Sequence, residues 1–177
     1  MTEPPGVSRR QALISGGLAA AAPLLPAMRP AQIKRTMSPQ SNWRWCHRCQ
    51  GLFFAGNNTL GACPAGGHHS DHRSGNYTLT QGSGSGQPNW RWCHRCQGLF
   101  FAGNNILGAC PAGGHHSDHR SGNYFLNQGS DSNIGQPNWR WCNRCQGLFF
   151  AGNNTLGACP AGGGHDDYGS GNYKLPQ

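Results

Sequence analysis

The sequence predicts a small all-β fold made of three tandem repeats. Three observations lead there: a gapless internal repeat, short alternating or aromatic runs set off by Gly/Asn turns, and too few apolar residues for one large core. Segments 42–77, 89–124 and 138–173 align without gaps and start 47 and then 49 residues apart. A fixed period of that length marks a repeat array, so one unit can be read and then multiplied. Hydrophobic residues make up only 36% of the 177, against 28 Gly and 12 Pro, which favours small units over a single large core.

Each element of the first unit follows from local pattern. Asn42-Trp43-Arg44-Trp45 alternates and reads as a leading strand. Cys46-His47-Arg48-Cys49 places two thiols on one tight knuckle. Gly51 is the residue expected to take positive φ there and turn amide groups toward sulfur. Gly51-Leu52-Phe53-Phe54-Ala55 reads as a second strand, and Gly56-Asn57-Asn58 as a turn. Cys63-Pro64-Ala65-Gly66-Gly67 forms a second loop that His69 closes. Ser74-Gly75-Asn76 is a further turn before a short last strand, Tyr77-Thr78-Leu79.

This partitions the chain into a leader (1–27), a spacer (28–41), repeats at 42–79, 89–126 and 138–177, and linkers at 80–88 and 127–137. Linker composition (T-Q-G-S-G-S-G-Q-P and N-Q-G-S-D-S-N-I-G-Q-P) predicts flexible coil, and so separate or serially packed units. The alternative is a closed threefold β-barrel of trefoil type, in which the Trp and Phe residues pool into one core.

The chemistry lies in three recurring sets: Cys46, Cys49, Cys63 and His69; Cys93, Cys96, Cys110 and His116; Cys142, Cys145, Cys159 and His165. Each reads C-x2-C-x13-C-x5-H. Three soft thiolates and an imidazole make a four-ligand inventory for tetrahedral Zn²⁺. The third repeat is a natural substitution set. It differs from the first at five positions, with Asn143 for His47, Gly164 for His68, Asp166 for Ser70, Tyr168 for His72 and Gly169 for Arg73. All three cysteines survive, and so does the aligned histidine. His69, His116 and His165 are therefore the common fourth ligand, with His68 and His115 as rivals in the first two units. Asp71, Asp118 and Asp167 also survive and are candidates to orient the imidazole as hydrogen-bond acceptors. Nine cysteines, three per unit, cannot all pair as disulfides within units; one disulfide with a spare thiol is the competing use.

Two ligand-bearing loops joined by short strands resemble a zinc ribbon, through the C-x-x-C-x-G knuckle at 46–51 and the C-P-x-G loop at 63–66. The histidine five residues on stands where a ribbon has its second cysteine. The wider pattern W-C-x-x-C-x-G-L-F-F, C-P-A-G-G-x-H and S-G-N-Y-x-L is similar to repeats in secreted bacterial proteins, a resemblance that supplies no activity. At the N-terminus, Ser8-Arg9-Arg10-Gln11-Ala12-Leu13-Ile14 resembles the twin-arginine export pattern S-R-R-x-F-L-K, with Ala12 for Phe and Ile14 for Lys. That resemblance implies folding and metal uptake before export to a secreted or extracytoplasmic address. The stretch 11–28 is weakly apolar and broken by Gly16, Gly17, Pro23 and Pro26, so no lasting membrane span is expected once the leader is removed, with cleavage placed after Ala27.

A lone 36-residue unit lies below the roughly 40 residues at which cores usually suffice, so a metal staple on the order of 10 kcal/mol is expected to decide folding, and metal-free units are expected to be unfolded. Four protein ligands close the coordination sphere, which points to three structural zinc ions rather than a catalytic one. No G-x-S-x-G, H-E-x-x-H or phosphate loop is present, and Asp and Glu together number only six, so no enzyme is expected. A multivalent binding module is the leading reading. Its candidate contacts are Arg44, Arg48, Arg91, Arg95, Arg140 and Arg144, with Arg73 and Arg120, and the tryptophans Trp43, Trp90 and Trp139, with Trp45 on the same strand face as Trp43. From Met28 onward 12 Lys/Arg against 5 Asp leave +7, about +4 with three zinc sites loaded, which suits an anionic glycan or cell-envelope polymer; nucleic acid, suggested by analogy with ribbons, fits an exported chain less well. The third class is metal sequestration or sensing, on His68-His69-Ser70-Asp71-His72 and its counterpart at 115–119, though the third unit lacks that cluster.

Overall fold

The structure is a computed structural model and describes residues 37–130 and 133–177. The leader, its export pattern and residues 28–36 of the spacer lie outside the described residues. The described chain is all-β, with nine antiparallel strands. No described helix is long and apolar enough to cross a membrane.

Each unit contributes three strands. They are β1 (Ser38–Trp45), β2 (Leu52–Phe54) and β3 (Tyr77–Gln81); β4 (Gln87–Trp92), β5 (Leu99–Phe101) and β6 (Tyr124–Gln128); and β7 (Gln136–Trp141), β8 (Leu148–Phe150) and β9 (Tyr173–Leu175). In the first unit β1 lies between β2 and β3, with Trp43 opposite Phe54, Trp45 opposite Leu52 and Arg44 opposite Phe53. The register slips between Gln40 and Trp43, where Asn42 takes φ 70°. Asn tolerates that left-handed conformation better than most residues, and its repeat counterparts Asn89 and Asn138 adopt it too.

Strand alternation divides two jobs between the two faces of each small sheet. Leu52 and Phe54 face a hub shared by all three units, together with Trp43, Tyr77 and Leu79. Phe53, between them, faces away and packs on the unit's own cysteines. The second and third units repeat this with Phe100 and Phe149.

The units are not beads on flexible coil; they close into a pseudo-threefold ring. At one level β3 pairs with β6 and β6 with β9, and the Thr78 amide donates to the Pro176 carbonyl at 3.0 Å. At another level Phe54 N–H donates to Gln97 O, Phe101 N–H to Gln146 O and Phe150 N–H to Gln50 O, each at 2.9 Å. That cycle runs from unit one to two, two to three, and three back to one. The linker ends are therefore strand: Thr80 and Gln81 complete β3, and Gln87 and Pro88 begin β4. Composition suggested coil because it cannot see that these ends pair with their own units and their neighbours.

The physical reason for closure is apolar area that one unit cannot bury alone. Trp43, Trp90 and Trp139 are each 0% exposed. Each meets a tyrosine from another unit edge-on: Trp43 with Tyr124, Trp90 with Tyr173 and Trp139 with Tyr77. The tyrosine hydroxyls donate in turn to Gln40, Gln87 and Gln136 across the same junctions. The three indole N–H groups find no acceptor among the described residues, a desolvation cost carried in the middle of the hub.

Candidate metal centre

The first loop is a tight knuckle. Cys46 N–H donates to Gly51 O at 2.9 Å, and Gln50 N–H to Cys46 O at 2.7 Å. The residue with positive φ is Gln50, at 64°, not Gly51. At Gly51 a Cβ would stand 3.4 Å from Cys49 Sγ, an ordinary contact distance, so nothing in the structure requires glycine there. The strained Gln50 is held by its own side chain, whose amide donates to His47 O while its carbonyl accepts from Trp45 Nε1 and from Asn153 Nδ2 of the third unit. Gln97 and Gln146 do the same in their units. Sequence reasoning missed this residue, although a glutamine directly after the second cysteine of every unit was the available signal.

In the second loop Cys63 N–H donates to Gly67 O at 2.9 Å, and Gly66 N–H donates to Cys63 O. Arg48 ties the two loops together by donating to His68 O at 3.2 Å and Ala65 O at 2.9 Å. His69 lies flat on Phe53, ring centres 4.7 Å apart and 12° from parallel. Its Nδ1 comes to 3.5 Å from Cys49 Sγ, while Cys46 and Cys63 sulfurs are 3.9 Å apart. Ser70 N–H points at Cys46 Sγ from 3.4 Å.

All twelve predicted ligands assemble in this way, as three buried Cys3His groups whose donor atoms lie within 4.8 Å of one another. All nine cysteines are free, and the 3.9 Å sulfur pair is far beyond a disulfide bond. The spacings fit a tetrahedral ion. With Zn–S of about 2.3 Å and Zn–N of about 2.05 Å, neighbouring sulfurs fall about 3.8 Å apart and sulfur to nitrogen about 3.6 Å. The other two groups agree, with Cys93–Cys110 at 3.9 Å and Cys142–Cys159 at 3.8 Å, and histidine Nδ1 at 3.4 and 3.5 Å from sulfur. Each group can hold one metal ion.

Protons are unevenly shared among these thiols. Hydrogen bonds from Cys49 and then Cys63 hold the Cys46 thiol far below its usual range. The same bonds act in reverse on the partners: Cys46 pushes Cys49 well up and Cys63 up. Burial works against the charge of His165, but hydrogen bonds to Cys142 and Cys159 outweigh it and lift the imidazole to about 9.

Other expectations resolve differently. His68 and His115 are not ligands; their Nδ1 atoms pair with Gly61 O and Gly108 O at 3.0 Å. Asp71, Asp118 and Asp167 do not orient the ligand rings, because Nε2 of His69, His116 and His165 has no hydrogen-bond partner among the described residues. Asp167 instead meets Arg140 Nε at 3.8 Å. Trp43, Trp90 and Trp139 cannot stack on a ligand, since the hub encloses them completely. Arg44, Arg91 and Arg140 are half-buried and donate to the carbonyls of Trp43, Trp90 and Trp139. Arg95 and Arg144 clamp their second loops as Arg48 does.

The junctions offer surface features instead. A cleft of about 140 Å³ between units one and two is lined by Trp92, Arg120, Gln40, Asn57 and Gln81 among others. A cleft of about 230 Å³ between units three and one is lined by the equivalent Trp45, Arg73, Gln136, Asn153 and Gln177. At the remaining junction the arginine position is Gly169.

No protein-family model, curated protein or solved structure matches this chain. What can be said of its chemistry rests on the three buried groups and the clefts between units.

Proposed function

We propose that this is an exported, non-enzymatic binding protein, stabilised by three structural zinc ions and engaging an anionic or glycan polymer at more than one equivalent site. The structural role of the zinc is supported by the ligand count: four buried donors per ion leave no position for water or substrate. Export is supported by the resemblance of residues 8–14 to a twin-arginine signal.

The observation that carries the binding reading is the pair of equivalent clefts. Each sets a half-buried indole beside an exposed arginine and several side-chain amides. An aromatic wall with amide donors and acceptors suits a sugar ring, and a guanidinium suits a carboxylate or phosphate on it. Two such clefts on one rigid ring would raise avidity without new contacts.

The test is co-sedimentation of zinc-loaded protein with an anionic cell-wall polymer and with neutral glycans. Arg73→Ala with Arg120→Ala is expected to weaken retention on the anionic polymer at least tenfold, with three zinc ions still bound. Retention unchanged by that double substitution refutes the assignment of these clefts.

A further inference from the structure

Two histidines that the zinc groups leave unused meet on the surface of the first unit. His47 sits on the knuckle and His72 beyond the second loop, and both are exposed. Their ring centres are 5.8 Å apart with planes at 75°. The second unit repeats this: His94 and His119 are 5.8 Å apart at 74°. Each knuckle histidine also lies beside a half-buried indole, Trp45 or Trp92, at 6.4 Å. The His72 and His119 amides donate to Ser70 Oγ and Ser117 Oγ at 3.4 Å, which braces the second partner.

The third unit gives an independent observation. It differs from the first at five positions of the aligned segment, and two of those five remove this pair together: Asn143 replaces His47, and Tyr168 replaces His72. Asp166, which replaces Ser70, keeps the loop brace, since the Tyr168 amide donates to Asp166 Oδ1 at 3.0 Å, so the loop holds its form while the two imidazoles are gone. The four zinc-type ligands are untouched, so the pair is dispensable to the fold and is lost as a set.

We propose that His47 with His72, and His94 with His119, form two surface sites for a borderline divalent cation such as Ni²⁺ or Cu²⁺, distinct from the three buried groups. Imidazole is the ligand that such ions favour. An imidazole nitrogen about 2.1 Å from an ion puts the ring centre about 3.2 Å from it, so two rings on one ion have centres at most about 6.4 Å apart. The observed 5.8 Å falls inside that limit. Two protein ligands leave the remaining coordination positions to water or to a donor on a bound partner.

The experiment is equilibrium dialysis of the zinc-loaded chain against Ni²⁺, with zinc and nickel both counted by elemental analysis. Wild type is expected to take up two nickel ions and keep three zinc. His47→Asn with His94→Asn, which installs the third unit's residue, is expected to weaken nickel uptake at least tenfold with zinc unchanged. Asn143→His with Tyr168→His is expected to raise uptake to three. Nickel uptake that survives the first pair of substitutions, or a third site that fails to appear with the second, overturns the proposal. A zinc count below three in wild type strikes the structural-zinc reading instead, and the two counts are read separately.

Discussion

Gly61→Ala tests the closed ring most directly. Gly61 lies in the first unit at φ +65°, and a Cβ there would stand 2.1 Å from Cys96 O and 2.7 Å from Gln97 Cγ of the second. Ordinary carbon contacts begin near 3.5 Å, so the two units would have to part by about 1 Å or more. The junction hydrogen bonds from Phe54 N–H to Gln97 O (2.9 Å) and from Asn57 Nδ2 to Gln97 Oε1 (2.7 Å) do not survive that movement. Losing the two costs about 2 kcal/mol. Holding alanine in the left-handed region adds about 1 kcal/mol.

The total of about 3 kcal/mol falls on one cooperative unit, because the hub is shared. For a domain of this size it corresponds to a fall in melting temperature of about 10 °C. Scanning calorimetry of the zinc-loaded chain is the assay, and a single transition shifted downward as a whole is the expected trace. Gly108→Ala and Gly157→Ala meet Cys145 O at 2.1 Å and Cys49 O at 2.2 Å, so they should shift it equally. An unchanged melting temperature, or most of the heat remaining at the original temperature with a small early peak, would refute closure.

Two further outcomes follow from the metal groups. In the metal-free fold the raised thiols Cys49, Cys63, Cys96 and Cys110 carry protons at neutral pH, and a bound ion must displace them. The loaded state therefore gains as pH rises and loses as it falls. With about two protons released per ion, zinc affinity of the first two units should drop about 100-fold from pH 8 to pH 7, measured by chelator competition; a flat profile contradicts the proton assignment. Gln50→Ala deprives Trp45 Nε1, His47 O and Asn153 Nδ2 of their partner, for about 3 kcal/mol. It should lower the melting temperature about as much as the glycine substitutions, and a loss under 0.5 kcal/mol would show that Gln50 is replaceable.

The metal groups were legible because their signal is local and repeated. The four-ligand spacing recurs three times, and the third unit's substitutions single out His69, His116 and His165 over their neighbours. Strand cores at 43–45, 52–54 and 77–79 were legible from alternation and aromatic content. Ring closure was legible only as the alternative to separate units, because it depends on pairings such as Tyr124 with Trp43 between residues far apart in sequence. Glycine and serine in the linkers read as flexibility, although their flanks are strand. The tryptophans show the limit of strand periodicity. Trp43 and Trp45 share a face, yet Trp43 is enclosed by the hub and Trp45 remains half-exposed at its rim. Alternation gives the side of a sheet, not the distance from a symmetry axis that the chain itself has to create.

Closure also changes what the metal does. A lone unit is expected to depend on its ion for any stable shape, and in the closed ring the apolar hub is shared by all three units. An ion bound in any of the groups would have a second role, because each group sits at a junction. The group around Cys46 packs on Ala158 of the third unit, that around Cys93 on Ala62, and that around Cys142 on Ala109. Gly61, Gly108 and Gly157 press against the backbone of the neighbouring knuckle at Cys96, Cys145 and Cys49. An ion that fixes one knuckle therefore fixes the surface on which the adjoining unit rests. If each group holds an ion, stability and metal binding should be coupled around the ring, with an empty site in one unit weakening the seat of its neighbour, an outcome that stepwise metal titration followed by calorimetry would check.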